Sequence, residues 1–248
     1  MAAGEVSVER GVRYGGGKLL DVYRPAQQTS GARPTVLLWH GIGPDERDVL
    51  EPLAREIAGS HGMPVVAPDW RSDGPDGGRE HLLTSLAYTR AAASSLGGLG
   101  DNAIVLAGWS RGGKCAAAIA VRPAAVDGWR PMAVVSLGSG YTSESPFGVP
   151  AEDLARCDAE PVPFWLVHGT EDPVVPVAQS RDWASLLTAR GWPVRLAEQR
   201  TDHAGVIGTQ YDERLRRCVP STAGDAVTAR QLSARLIAEA AKAGPPTR

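Results

Sequence analysis

The stretch LAGWSRGGKCAA, Leu106 to Ala117, drives an apolar run into Gly-Trp-Ser-Arg-Gly-Gly and leaves it through a run of small residues. An apolar segment that meets a glycine-flanked corner and then a helix-permissive run reads as strand, sharp turn, helix. Gly108 and Gly112 stand two residues either side of Ser110, where absent β-carbons allow close backbone approach. A corner this tight holds its central residue in a strained conformation and lifts the Ser110 hydroxyl clear of the sheet edge.

Working outward, the segment before the corner is one of eight short β-branched or apolar runs: EVSVERGVRY, LLDVYRP, TVLLWHG, MPVVAPDW, AIVLAGWS, PMAVVSLG, PFWLVHG and PVRLAEQ. The third to the eighth are mostly unbroken rather than alternating, as a parallel sheet covered on both faces requires. Helical stripes separate most of them. Val49, Leu50, Leu53, Ala54 and Ile57 form one, with Pro52 in its first turn or bending it. Leu82, Leu83, Leu86 and Ala87 form a second, followed by Cys115, Ala116 and Ile119, by Trp183, Leu186 and Leu187, and by Leu232, Leu236, Ile237 and Ala240. The pattern predicts an α/β fold: a doubly wound, mostly parallel eight-stranded sheet with helices on both faces. Residues 138–161 have weak periodicity and are expected to form a surface loop or minimal cap within a single domain over 1–248.

Composition narrows the partners. The chain has 248 residues, 43% of them hydrophobic, enough for a sizeable core. A formal charge of −2, with Lys and Arg scattered, gives no general attraction to nucleic acid or acidic membranes, so a small-molecule partner is expected. Cys115, Cys157 and Cys218 lack CxxC spacing, which argues against a zinc site or a disulfide framework and favours a reducing, cytoplasmic home. Nowhere do about 18 consecutive apolar residues occur, so no membrane span is expected.

A serine hydroxyl is a weak nucleophile unless a base takes its proton, and that base is most often a histidine oriented by a carboxylate. His40 and His168 end apolar strands before glycine, and His61 and His81 sit in polar surroundings near helix ends. His203, in RTDHAGV after the last strand, follows both the serine and a plausible acid, Asp172 in VHGTEDPVVP. Glu171 and Asp202 are rival carboxylates; a residue adjacent to the base seldom curls back to its ring, which favours Asp172 over Asp202.

Taken together, LLDVYRP, TVLLWHGIG, VVAPDWR, GWSRGG, HGTEDPVVP and DHAG resemble the α/β-hydrolase superfamily over nearly the whole chain, close to feruloyl-esterase-like and dienelactone-hydrolase-like members. The resemblance implies Ser110 as nucleophile, Asp172 as acid and His203 as base, with HGIG at the oxyanion hole. The backbone amides of Ile42 and Arg111 would then face the developing oxyanion. Lipase-type members often carry HGGG where this chain has Ile42 and Pro44, and dienelactone hydrolases use cysteine where it has Ser110. The resemblance implies a serine esterase acting on a small carboxylic ester through an acyl-enzyme, with no metal or organic cofactor. The same machinery could act on a thioester or lactone. A non-catalytic ligand-binding member is the alternative of another class, and it would have no need of all three residues.

Other residues carry more open expectations. Asp69 and Arg71 in PDWR are expected to brace the fold as an ion pair, His40 to support the oxyanion loop, and Cys115 to be a small core residue. Arg111 and Lys114 fall in the first helical turn, where a cation costs about 0.3–1 kcal/mol when exposed. Arg111 either attracts an anionic group on the substrate or pairs with an acid on a neighbouring loop. Trp39, Trp70, Trp109 and Trp165 lie near carboxyl ends of predicted strands, where open α/β sheets bind ligands, so each is a pocket wall or ordinary core. Trp70, Trp109, Arg111, Tyr141 and Val174 are the expected substrate contacts.

Overall fold

The computed structural model describes residues 4–26, 31 and 33–243; the ends of the expected 1–248 domain lie outside them. The eight predicted strands form one sheet: β1 (Val6–Gly15), β2 (Lys18–Pro25), β3 (Thr35–Trp39), β4 (Val65–Pro68), β5 (Ile104–Trp109), β6 (Ala133–Leu137), β7 (Phe164–Gly169) and β8 (Val194–Gln199). Their order is β1-β2-β4-β3-β5-β6-β7-β8. β1 runs antiparallel to β2, β2 antiparallel to β4, and every other pairing is parallel.

Alternate residues of the central strands enter different cores, which explains their unbroken apolar reading. Leu37 and Trp39 of β3 and Ile104 and Leu106 of β5 pack with α2 (Arg79–Ala92), α3 (Arg111–Val121) and α5 (Ala178–Ala189) on one face. Val36 and Leu38, with Val105 and Ala107, pack against α1 (Glu51–His61) and α6 (Gly224–Ala243) on the other. Pro52 lies in the first turn of α1, where its missing N–H would have no partner in any case.

The segment 138–161 is mostly a cover for the α3 and α5 face. Its Tyr141, Phe147 and Leu154 are buried in that core, and only six residues form a helix, α4 (Pro150–Ala155). An antiparallel hairpin after His203, β9 (Thr209–Asp212) with β10 (Arg217–Pro220), was not predicted. From β4 the chain passes β3 to place β5 on its far side, so the crossover reverses between β3 and β5. Ligands of open α/β sheets bind at the carboxyl ends of strands flanking such a reversal.

Candidate active site

Ser110 occupies the turn between β5 and α3 with φ 53° and ψ −119°, a left-handed conformation unfavourable for any residue with a β-carbon. Its N–H is held by Leu137 O at 2.8 Å, and its carbonyl accepts the Lys114 N–H at 3.2 Å and the Ser139 hydroxyl at 2.9 Å. The corner closes only because its neighbours are glycines. A β-carbon on Gly108 would run into the Gly112 backbone, and one on Gly112 into the carbonyls of Trp39 and His40.

His203 and Asp172 come together beside the end of β6. His203 Nδ1 donates to Asp172 Oδ2 at 2.7 Å, and a β-carbon on Gly138 would stand 3.3 Å from that ring nitrogen. Asp172 Oδ1 accepts the amides of Val174 and Val175, each at 2.8 Å. Burial raises the Asp172 pKa, but the hydrogen bonds from His168, His203 and the Val175 amide outweigh it and hold the carboxyl well below the usual carboxylate range. An ionised Asp172 requires the proton of neutral His203 on Nδ1, which leaves Nε2 with a free lone pair. The rivals are engaged elsewhere: Asp202 Oδ1 accepts the Gly205 amide at 2.7 Å, and Glu171 pairs with Arg200 at 2.9 Å.

His168 belongs to this cluster, although the sequence offered only a polar residue at an apolar strand end. It is fully buried. Its Nε2 lies 3.3 Å from Asp172 Oδ2 and 2.8 Å from Val175 O, and its Nδ1 lies 2.7 Å from Ser180 Oγ. Asp172 is thus gripped from two imidazoles and two amides.

His40 secures the opposite loop, as expected. Its Nδ1–H donates to Gly41 O at 3.0 Å, while Nε2 accepts the amides of Trp70 (3.2 Å) and Glu46 (3.3 Å). Burial drives its pKa down to about 4 against the smaller upward pull of these contacts and nearby acids. The ring is neutral and fixed as a structural pin. Gly41 then lies against Ser110, where a β-carbon would stand 3.2 Å from that of the serine. Neither the Ile42 nor the Arg111 amide donates to an acceptor among the described residues.

Asp69 and Arg71 do not pair with each other. Asp69, raised in pKa by burial, meets Arg47, which also donates to buried Asp21 at 2.9 Å, whereas Arg71 pairs with its exposed neighbour Asp73. The two acids, lying on β2 and just after β4, need a cation reaching inward, and Arg47 of the loop after β3 supplies it. Cys115 is fully buried, and burial pushes its thiol up to about 12.

A cleft of about 340 Å³ opens at Ser110, with walls that include Ile42, Arg111, Lys114, Val174 and Gln179. Of the expected substrate contacts, Arg111 and Val174 are there; Trp70, Trp109 and Tyr141 are buried away from it. Trp70 stacks on His40 and donates Nε1–H to its carbonyl at 3.3 Å. Trp109 packs against the His203 ring and donates to the His203 carbonyl at 2.9 Å. Tyr141 stacks on Trp183 with ring centroids 4.9 Å apart. These aromatics brace the loops that carry the histidines rather than line the cleft.

Arg111 takes part in no ion pair or hydrogen bond among the described residues, and its Nε is buried without an acceptor, a deficit worth about 1–3 kcal/mol. The ion pair to a neighbouring loop is therefore absent among the described residues. Lys114 donates to the Ser143 hydroxyl, while burial, and then the Arg111 charge, lower its pKa.

No protein-family model matches the chain, and no curated protein does. Solved structures do share its fold. DphMB1 is 22% identical with a TM-score of 0.70, covering 95% of this chain and 85% of its own. Esterase B from Lactobacillus rhamnosis (HN001) is 16% identical, with a TM-score of 0.70 and coverage of 96% and 87%. S-formylglutathione hydrolase FrmB from Staphylococcus aureus is 16% identical, with a TM-score of 0.69 and coverage of 97% and 98%. The eight-stranded sheet with its helices is thus the α/β-hydrolase fold.

Proposed function

We propose that the protein is a serine hydrolase of small carboxylic esters that works through an acyl-enzyme. The observation that carries the reading is the 2.7 Å hydrogen bond between buried Asp172 and His203, whose ring packs against Trp109, the residue before a serine in a left-handed corner at the carboxyl end of a parallel strand. Asp172 fixes the imidazole with its proton on Nδ1 and stabilises the cation that forms. Nε2 takes the Ser110 proton as Oγ attacks the ester carbonyl. The carbonyl oxygen becomes negative, and the free amides of Ile42 and Arg111 are the donors available to it. Collapse expels the alcohol, which receives the proton from His203. Water, deprotonated by the same nitrogen, then releases the acid and restores the serine.

The cleft lies near the low end of the 300–1,000 Å³ typical of small-molecule sites, and the cap segment spends its large side chains on the core. Each buried methylene is worth about 0.8 kcal/mol, so a long tunnel would show kcat/KM climbing steadily with acyl length. Here p-nitrophenyl acetate to butyrate should surpass decanoate.

Mutant kinetics test the mechanism. Ser110→Ala and His203→Ala should each remove nearly all hydrolysis from a folded protein. The double variant should be no slower than either by more than a small factor, because the two side chains act in one proton-transfer unit. Multiplying losses would break that unit.

A further inference from the structure

We infer that the cleft beside Ser110 binds a carboxylate of the substrate between the Arg111 guanidinium and the Lys114 ammonium, so that the ester cleaved is a small one bearing a free carboxyl group. This rests on the reading of Ser110 as nucleophile and names its substrate class. The two cations stand one and four residues beyond the serine, on the wall that any bound ester must pass. Among the described residues, no Asp or Glu lines the cleft. Elsewhere arginines reach carboxylates, as in Arg71–Asp73, Arg90–Asp101 and Arg181–Glu198; Arg111 reaches none among the described residues. Its Nη2 would lie 3.7 Å from a β-carbon on Gly77, an ordinary contact that sets the guanidinium against the loop before α2. Among the described residues Lys114 meets only a hydroxyl, and each cation raises the energy of the other. An anion between them relieves that repulsion and supplies the buried Nε with an acceptor.

Carboxylate suits this pair because the guanidinium fork binds it through two parallel hydrogen bonds while lysine adds a point charge. The rest of the wall mixes polar Thr142, Ser143 and Gln179 with apolar Val175 and Pro176. Ile42 and Val174, 68% and 65% exposed, flank the mouth and can take methylenes or a ring between them. The cleft therefore fits a compact molecule with an apolar middle, an ester at Ser110 and a negative end at the cations.

The test compares kcat/KM for anionic and neutral esters in two pairs. Monomethyl adipate against methyl hexanoate puts the carboxylate on the acyl side; 4-acetoxybenzoate against 4-methylphenyl acetate puts it on the leaving group. In the Arg111→Gln, Lys114→Gln double variant, the anionic-to-neutral ratio should fall on the order of tenfold to a hundredfold in one pair, which identifies the side. Arg111→Lys should restore part of it. An unchanged ratio in both pairs overturns the proposal while leaving the esterase reading standing. If the wild type cleaves none of the four, the esterase reading falls, and calorimetry with adipate alone decides the anion site. Binding weakened at least tenfold in the double variant supports the site, and equal or absent binding overturns it.

Discussion

The loops that face Ser110 are held by side chains whose ionisation the fold fixes: hydrogen bonds keep Asp172 charged against its burial, and burial keeps His40 neutral. His40 illustrates the cost. With an unfolded pKa of about 6.5 and a folded value of about 4, the unfolded chain binds the extra proton between those limits. Stability contributed by neutral His40 is thus full above pH 6.5 and is lost as pH falls toward 4, by about 3 kcal/mol. His40→Asn should flatten the slope of unfolding free energy against pH between 4.5 and 6.5, measured by urea denaturation. An equal slope in wild type and variant would remove His40 from the account. At this scale the strand pattern predicts Ser110 on a strand-to-helix corner and His203 with Asp172 rather than Asp202, and the structure has both placements. Trp70, Trp109 and Tyr141 were misjudged because a place near a strand's carboxyl end does not say which way a ring turns, and here the rings turn into the two cores. His168 was missed because its hydrogen bond to Ser180 and its approach to Asp172 depend on α5 docking against β7, which no local pattern records.

The strand, corner and helix around Ser110 act as one element. α3 begins immediately after the corner and carries Gly112 and Gly113 in its first turn, where propensity alone disfavours glycine by about 0.8–1.0 kcal/mol relative to alanine. Packing decides the other way. A β-carbon at Gly112 would strike the carbonyl of Trp39, which β3 holds in the parallel ladder with β5, and that of His40 just beyond it, so neither side can yield cheaply. Overpacking of this kind costs about 1–3 kcal/mol or more, enough to exceed the propensity gain. Gly112→Ala should therefore lower the urea midpoint, and a raised midpoint would show that the helix does not pack on β3 as described. The sheet strands were readable because both faces are covered, leaving unbroken apolar runs. The β9–β10 hairpin was not, since its four-residue strands are mostly half-buried or exposed and carry no such run.

Across the whole molecule, a formal charge of −2 gives no general pull on anions, so the two cations beside Ser110 are a local feature against the overall balance. No helix among the described residues is long and apolar enough to cross a membrane, and no three His, Cys, Asp or Glu side chains among them come together as a metal site. What the fold does concentrate at one end of its sheet is a strained serine, an oriented imidazole and unengaged amides from two loops. If that convergence makes Ser110 a nucleophile, a fluorophosphonate should modify it covalently and nothing else. Intact-mass spectrometry after brief exposure should show one adduct per chain, mapped by peptide fragmentation to Ser110, sharply slowed in His203→Ala and absent in Ser110→Ala. A folded wild type that stays unmodified, or an adduct that persists in Ser110→Ala, would contradict the account.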